Sequence, residues 1–416
     1  MDHNSLRGRR RALQSGAALA GAAALGFPAI LRAQSETLPL AHLTPRTGFL
    51  GQVGEYGFKG ATLAVDEANA AGGVLGRKIE LISEDSVNPA TAANKAAKLI
   101  ERDKVVAIFG EINSASGLAI SKEAQRGKTP FFNTGGNSDG LRGKDCNRYM
   151  FHIEGNSTMY TRTVVDFLSE QGLVKGKRWY ALTADYAFGH DLFRISNQML
   201  TEDGAINAGN DLVPTNTQDY SSYILKIRQA KPDFVYSCLA GIDLTNFLKQ
   251  YKEYNLPYPV TGGANDTALF WLAGIDSCSG YWQTMWCHEL KTPGAEAFTK
   301  RFWARFGHPP ENQAWQDYTA ARIILQSIAE TKSTDSAKLI QYLEKGAQFD
   351  ILKARKGSFN PRDHQLLQEM YVVKVKDKAQ MRDKWDFFEV VRAVPRPDQP
   401  LMALQPRPED NACSMS

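Results

Sequence analysis

A short polar turn that follows a buried apolar run is the stretch best suited to hold a small ligand. Residues 105–109 are apolar and mostly β-branched, which predicts a buried strand ending at Gly110. The turn at 111–117 then leads into a segment of helical character at 118–124. A helix N-terminus here would present free backbone N–H groups and the Ser114 hydroxyl, which favours a ligand carboxylate. The alternative is that Ser114 only N-caps the helix.

Residues that could perform catalysis do not form a recognisable set. The sequence has no GxxxxGK[ST] loop, no GxGxxG turn and no HExxH pair. Asp185 and His190 could act as acid and base, but one such pair is expected by chance in a chain of this length. The seven histidines are scattered, which disfavours a metal site. We therefore predict no enzymatic activity, no cofactor and no metal.

The first 33 residues have the composition of an export signal. Four arginines between Arg7 and Arg11 precede a stretch rich in Ala, Gly and Leu at 12–30, and a cleavage point follows near Ala33. Arg10-Arg11-Ala12-Leu13 resembles a twin-arginine signal, although its usual Ser or Thr is missing and Leu13 stands where Phe is common. The alternative is a membrane anchor, for which the apolar stretch is marginal in length. The sequence favours export and cleavage.

The charge balance excludes two classes of partner. Residues 1–33 contain five of the 49 Lys and Arg and one of the 45 Asp and Glu, so the rest of the chain has 44 of each sign. A neutral balance indicates neither nucleic acid nor an anionic membrane surface as partner.

The five cysteines predict one or two disulfides after export, with Cys238, inside an apolar strand, as a buried free thiol.

The chain alternates strand and helix patterns in two similar series. The first series predicts strands at 38–43, 78–85, 105–109 and 129–134, and helices at 56–71, 88–103 and 118–124. The second predicts strands at 178–183, 205–212 and 232–238, and helices at 161–171 and 220–230. This alternation predicts an α/β fold with two doubly wound parallel-sheet lobes, which bind ligands beyond the carboxyl ends of their strands. In the first series the loops at 44–54, 111–117 and 134–138 lie at that edge.

The predicted domains follow from this alternation. Residues 34–152 plus 285–352 form lobe 1, residues 153–284 plus 353–392 form lobe 2, and residues 393–416 form a proline-rich C-terminal strap or tail. About three crossovers join the lobes, near 149–154, 281–289 and 350–357. Such an arrangement predicts a hinged cleft between the lobes.

Several motifs together resemble one protein family. These are the glycine pattern from Gly48 to Gly76, the turn at 110–117 and Asp185-Tyr186-x2-Gly. Over residues 36–390 the chain resembles type I periplasmic solute-binding proteins, in particular the leucine/isoleucine/valine-binding proteins of branched-chain amino-acid transport. The resemblance implies a type I periplasmic binding protein fold in a monomer that closes on a solute and delivers it to an ABC permease in the inner membrane.

The resemblance also implies ligand contacts in lobe 1. Ser114 matches the family's serine that holds the ligand carboxylate, and Ile112 and Asn113 stand beside it. Gly135 and Gly136 match small residues whose backbone lines the pocket. Asn137 replaces a threonine that contacts both ends of the ligand.

In lobe 2 the chain departs from the amino-acid binders. Ala240 replaces their tyrosine, and Ala264 replaces the glutamate that pairs with the ligand ammonium. A buried ammonium without a carboxylate costs several kcal/mol. Asp266 is the candidate substitute, with Asn265 beside it, but Asp266 could instead cap a helix at 267–273. We therefore predict a small carboxylate lacking an α-ammonium as ligand; amino acids, urea and short amides are the alternatives.

Aromatic residues on the lobe 2 side favour an apolar or aromatic acid. Tyr186 aligns with an aromatic that faces the ligand in family members, and Tyr160 heads a helix near a crossover and could close the pocket. Phe188 and Trp179 are expected in the core.

Two other classes of protein are alternatives to a transport component. A ligand-sensing receptor would need a signalling module, and an enzyme would need an acid, base or metal converging in the cleft.

Overall fold

The computed structural model describes residues 37–415, so the predicted export signal at 1–33 lies outside the described residues. The first sheet has five parallel strands in the order β2-β1-β3-β4-β5. Its elements are β1 Leu38–Thr44, α1 Gly51–Ala70, β2 Ile79–Asp85, α2 Pro89–Glu101, β3 Ile108–Gly110, α3 Ser114–Arg126, β4 Phe131–Asn133 and β5 Met150–His152. The doubly wound lobe predicted from the alternating pattern is confirmed.

A second parallel sheet forms the other lobe, with strand order β7-β6-β8-β9. Its elements are α4 Ser157–Glu170, β6 Arg178–Ala184, α5 Ala187–Glu202, β7 Ile206–Val213, α6 Ser221–Ala230, β8 Phe234–Cys238, α7 Gly241–Glu253, β9 Val260–Thr261 and α8 Thr267–Ala273. Cys238 is a buried free thiol in β8, as predicted. In both sheets the loops that follow the strands face the cleft between the lobes.

The remaining elements extend both lobes. They are β10 Tyr281–Thr284, α9 Pro293–Phe306, α10 Asn312–Thr331, α11 Ser336–Glu344, β11 Ser358–Phe359, β12 Leu366–Leu367, β13 Met370–Val375 and β14 Phe388–Val394. Strands β10, β13 and β14 form a small antiparallel sheet that packs on α4 of the second lobe. Helix α10 packs along α1 of the first lobe.

Helix α1 begins five residues earlier than predicted, because its glycines permit close packing. A Cβ atom on Gly54 would lie 1.7 Å from the Pro45 carbonyl oxygen. One on Gly60 would lie 2.0 Å from the carbonyl oxygen of Ala314 in α10. Gly54, which suggested a loop, therefore lets the helix lie close to the Pro45 segment, and Gly60 permits a tight contact with α10.

A buried polar network joins the crossovers. The Arg142 guanidinium donates to the carbonyl oxygens of Gly136 and Glu154 and to the side chain of Gln365. The Gln365 amide in turn donates to the Glu154 carbonyl oxygen. These bonds connect a loop of the first lobe to the β5–α4 crossover and to the return segment before β13.

The C-terminal segment beyond β14 lies against residues of both lobes. Arg162 in α4 donates to the Ala403 carbonyl oxygen, and Asn411 donates to the Asp363 carboxylate. A disulfide joins Cys413 to Cys146, which follows β4 in the first lobe. None of the helices within 37–415 has the length and apolarity of a bilayer-spanning segment.

Candidate functional site

The turn before α3 does not leave its backbone N–H groups free, contrary to the prediction from sequence. Glu111 has a positive φ of 69°, and its carboxylate accepts from the N–H groups of Ile112 at 3.0 Å and Asn113 at 2.8 Å. The Asn113 side chain accepts from the N–H groups of Ala115 and Ser116. The protein's own side chains therefore occupy most of this N-terminus.

Ser114 is the first residue of α3, and Asn113 is the N-cap, so the alternative that Ser114 caps the helix is wrong. The Ser114 hydroxyl accepts from the Ser138 N–H at 3.3 Å. That contact leaves the hydroxyl proton available to a ligand.

Seven predicted residues line one small cavity between the lobes. They are Ile112, Gly135, Asn137, Tyr186, Ala240, Ala264 and Asp266. Four further lining residues are Leu50, Glu154, Phe188 and Gln313. The cavity measures about 20 Å³, space for roughly one water molecule, so it is too small for a solute in this arrangement of the lobes. Five predicted contact residues do not line it: Asn113, Ser114, Gly136, Tyr160 and Asn265.

Asp266 occupies the N-cap position of α8 but makes no side-chain cap hydrogen bond. Its carboxylate instead accepts from the Asn312 amide at 2.9 Å and lines the cavity. Burial raises the pKa of Asp266 to about 6. The helix-capping alternative for this side chain is therefore wrong, and the carboxylate is directed to the cleft.

Glu154, which sequence reasoning missed, places a second carboxylate at the cavity. It lies in the β5–α4 crossover and accepts from the Tyr160 hydroxyl and the Gln316 amide, each at 2.8 Å. Burial raises the pKa of Glu154 to about 8, and the nearby Arg142 opposes that rise. Tyr160 is fully buried behind Glu154, so it positions this carboxylate and does not close the pocket.

Part of the cavity lining is apolar and aromatic. Tyr186 and Phe188 both line it, and the Tyr186 ring meets Phe49 of the first lobe edge-on at 5.7 Å. Phe188 is buried, as predicted for a core residue, but it also faces the cavity. Trp179 is fully buried in β6. An amphipathic solute fits this combination of a polar base and apolar sides.

No catalytic arrangement converges on the cavity among the described residues. His190 and Asp185 form a half-exposed surface pair at 2.9 Å, outside the lining. Ser138 stands in a Gly-Asn-Ser-Asp-Gly sequence, a spacing found at hydrolase nucleophiles, but its hydroxyl donates to Asp191 and its contacts include no histidine. Within 37–415 no group of three or more His, Cys, Asp or Glu side chains could hold a metal.

This two-lobed fold with a cavity between the lobes is that of a solute-binding protein. A family model described as "Periplasmic binding protein" matches residues 37–380. The chain therefore belongs to the periplasmic binding protein family, whose members bind solutes and are not enzymes. A relative from Brucella suis biovar 1 (strain 1330), Leu/Ile/Val-binding protein homolog 7, is 27% identical over 347 residues, which cover 80% of this chain and 84% of the relative.

Solved structures agree with this assignment. The amino acid ABC transporter substrate-binding protein from Pseudomonas fluorescens Pf-5 has a TM-score of 0.81 and 26% identity, over 92% of this chain and 100% of that one. A solute-binding protein from R. palustris, solved in complex with benzoate, has a TM-score of 0.76 and 21% identity, over 86% of this chain and 96% of that one. The resemblance to binding proteins of the branched-chain amino-acid ABC transporter type is confirmed.

Proposed function

We propose that this protein captures a small amino acid in the interlobe cavity and delivers it to an ABC permease, after export directed by the twin-arginine-like signal in residues 1–33. The observation that carries the proposal is the Asp266 carboxylate. It lines the cavity, makes no helix cap bond and accepts only from the neutral amide of Asn312 among the described contacts. A ligand ammonium would supply its missing counter-charge.

The other end of the solute faces hydrogen-bond donors of the first lobe. Gly135 and Asn137 line the cavity, and the Ser114 hydroxyl accepts from the N–H of Ser138, the residue after Asn137. A side chain at position 135 would meet Gln313 at 2.8 Å, so glycine keeps the backbone accessible there. We assign the ligand carboxylate to this side.

Contacts of the solute with both lobes explain how the permease could recognise the loaded protein. A solute held by Asp266 in the second lobe and by Ser114 in the first stabilises only the closed arrangement of the lobes. The permease would then distinguish the loaded protein by its closure.

A ligand screen with a charge-removing variant tests the proposal. We expect amino acids such as leucine, alanine and ornithine to raise the melting temperature of the wild-type protein more than benzoate or urea does. Asp266→Asn should lower amino-acid affinity at least tenfold by titration calorimetry. Asp66→Asn, which removes an exposed carboxylate on α1 away from the cavity, is the matched control and should leave affinity unchanged.

The second candidate is an aromatic acid without an ammonium, which the Tyr186 and Phe188 side of the cavity favours. A protein of similar fold is solved with benzoate. Under this alternative, benzoate stabilises the wild-type protein while the amino acids do not, and Asp266→Asn strengthens benzoate binding because it removes a repelling carboxylate. That pair of results would refute the amino-acid proposal.

A further inference from the structure

The cavity has one more carboxylate than a simple amino acid needs. The α-ammonium of such a solute is balanced by Asp266, yet Glu154 also lines the same small space. Tyr160 and Gln316 each donate to a different oxygen of Glu154, which holds the carboxylate in place. The lining contains no Lys, Arg or His side chain.

Two buried cations, Arg142 and Lys353, interact electrostatically with Glu154 but use their donors elsewhere. Arg142 donates to backbone carbonyl oxygens and to Gln365. Lys353 donates to the Gln368 side chain and the Glu369 carbonyl oxygen. Both influence Glu154 only through space, so its carboxylate has no direct cationic partner among the described residues.

Buried acceptor atoms beside the two carboxylates also lack donors. Glu311 Oε2, Asn312 Oδ1 and Gln316 Oε1 are buried and have no hydrogen-bond partner in the described part of the chain. Buried polar atoms without partners are uncommon and destabilising. None of these three residues lines the cavity, but Asn312 and Gln316 donate to the carboxylates of Asp266 and Glu154, so within 37–415 both carboxylates have neutral hydrogen-bond donors and no cation as partners.

We propose that Glu154 is a second ligand-contacting carboxylate and that the solute is a short basic amino acid, with one cationic nitrogen at Asp266 and another at Glu154. This inference rests on the proposed amino-acid function and narrows it to solutes with two cationic groups. A primary ammonium or a guanidinium suits the site because it donates three to five hydrogen bonds. Ornithine, which carries an α-ammonium and a second ammonium on a short side chain, is the probe for this arrangement.

The test compares ornithine with leucine on the wild-type protein and on Glu154→Gln, by titration calorimetry at pH 8. We expect the wild-type protein to bind ornithine at least tenfold more tightly than leucine. Glu154→Gln should weaken ornithine at least tenfold and leucine less than threefold. Glu253→Gln, at the exposed end of α7, is the matched control and should preserve the wild-type preference.

The outcomes distinguish a failure of the Glu154 contact from a failure of the amino-acid function. If the wild-type protein binds leucine as tightly as ornithine, or if Glu154→Gln weakens both equally, the second contact is refuted while the amino-acid function stands. If neither amino acid binds and benzoate does, the proposed function itself fails, and this inference with it.

Proton release gives a readout that does not depend on the stability of the variant. Burial raises the pKa of Glu154 to about 8, so an ammonium that pairs with it at pH 7 would expel a proton. Ornithine binding to the wild-type protein should therefore release more protons than leucine binding, measured in buffers of different ionisation enthalpy. Asp266, Arg142, Tyr160 and Lys353 also face Glu154. Equal release for both ligands would overturn the proposal.

Discussion

Replacing Glu154 by glutamine should flatten the pH dependence of stability. In the folded protein burial raises the pKa of Glu154 from 4.5 to about 8. Between these values the folded state keeps a proton that the unfolded chain has released. The free energy of unfolding therefore falls as the pH rises through this window, and the contribution is fully present only below pH 4.5.

The expected change in the free energy of unfolding follows from the pH range over which Glu154 is protonated only in the folded state. One fully titrating group changes the free energy of unfolding by about 1.4 kcal/mol per pH unit. From pH 5.5 to pH 7.5 the wild-type protein should thus lose about 2–3 kcal/mol that the variant does not lose. Glutamine also changes the contacts with Tyr160 and Gln316, but that cost is a constant offset and disappears from the slope.

Urea unfolding monitored by tryptophan fluorescence at pH 5.5, 6.5 and 7.5 measures the difference. Burial also lowers the pKa of His152, which is present in both proteins and contributes equally to each slope. Glu253→Gln should behave like the wild-type protein. Parallel profiles for the wild-type protein and Glu154→Gln, within about 0.5 kcal/mol over this range, would refute the assignment of a buried, protonated Glu154.

Three further substitutions have definite expectations. Gly60→Ala places a Cβ atom 2.0 Å from the Ala314 carbonyl oxygen and should destabilise the protein by about 2 kcal/mol in urea, despite the better helix propensity of alanine. Cys413→Ser removes the disulfide to Cys146 and should lower the free energy of unfolding by about 3 kcal/mol in the same measurement. An unchanged free energy of unfolding would contradict a stabilising role of the disulfide. Ser114→Ala should weaken the most stabilising amino acid of the screen by about 10- to 100-fold in calorimetry, and a change under twofold would exclude it as the carboxylate contact.

Much of the fold was predictable because local patterns and connection rules agree. Apolar runs such as 234–238, separated by amphipathic helices, have a stable solution in parallel sheets with helices on both faces. Element boundaries were less predictable. Helix α1 begins at Gly51, among glycines typical of a loop, because α10 and the Pro45 segment pack against its backbone.

The candidate site was only partly predictable. Loops after the strands of both lobes were expected at the cleft, and Asp266 and Asn137 do line the cavity. The environment of α3 was not predicted, because a left-handed backbone at Glu111 turns its carboxylate onto the two following N–H groups. A preference for positive φ at a glutamate has no signal in the sequence.

The sequence alone determined a two-lobed α/β solute-binding fold, a buried free thiol at Cys238 and a set of loops that could contact a ligand. The charge of the binding cavity depended on tertiary structure. The Glu154 carboxylate is held by a hydrogen bond from Gln316, 162 residues away. The Asp266 carboxylate accepts from Asn312 and does not cap α8. Hydrogen bonds between side chains distant in sequence leave no periodic pattern, so only the folded chain brings the two carboxylates to one cavity.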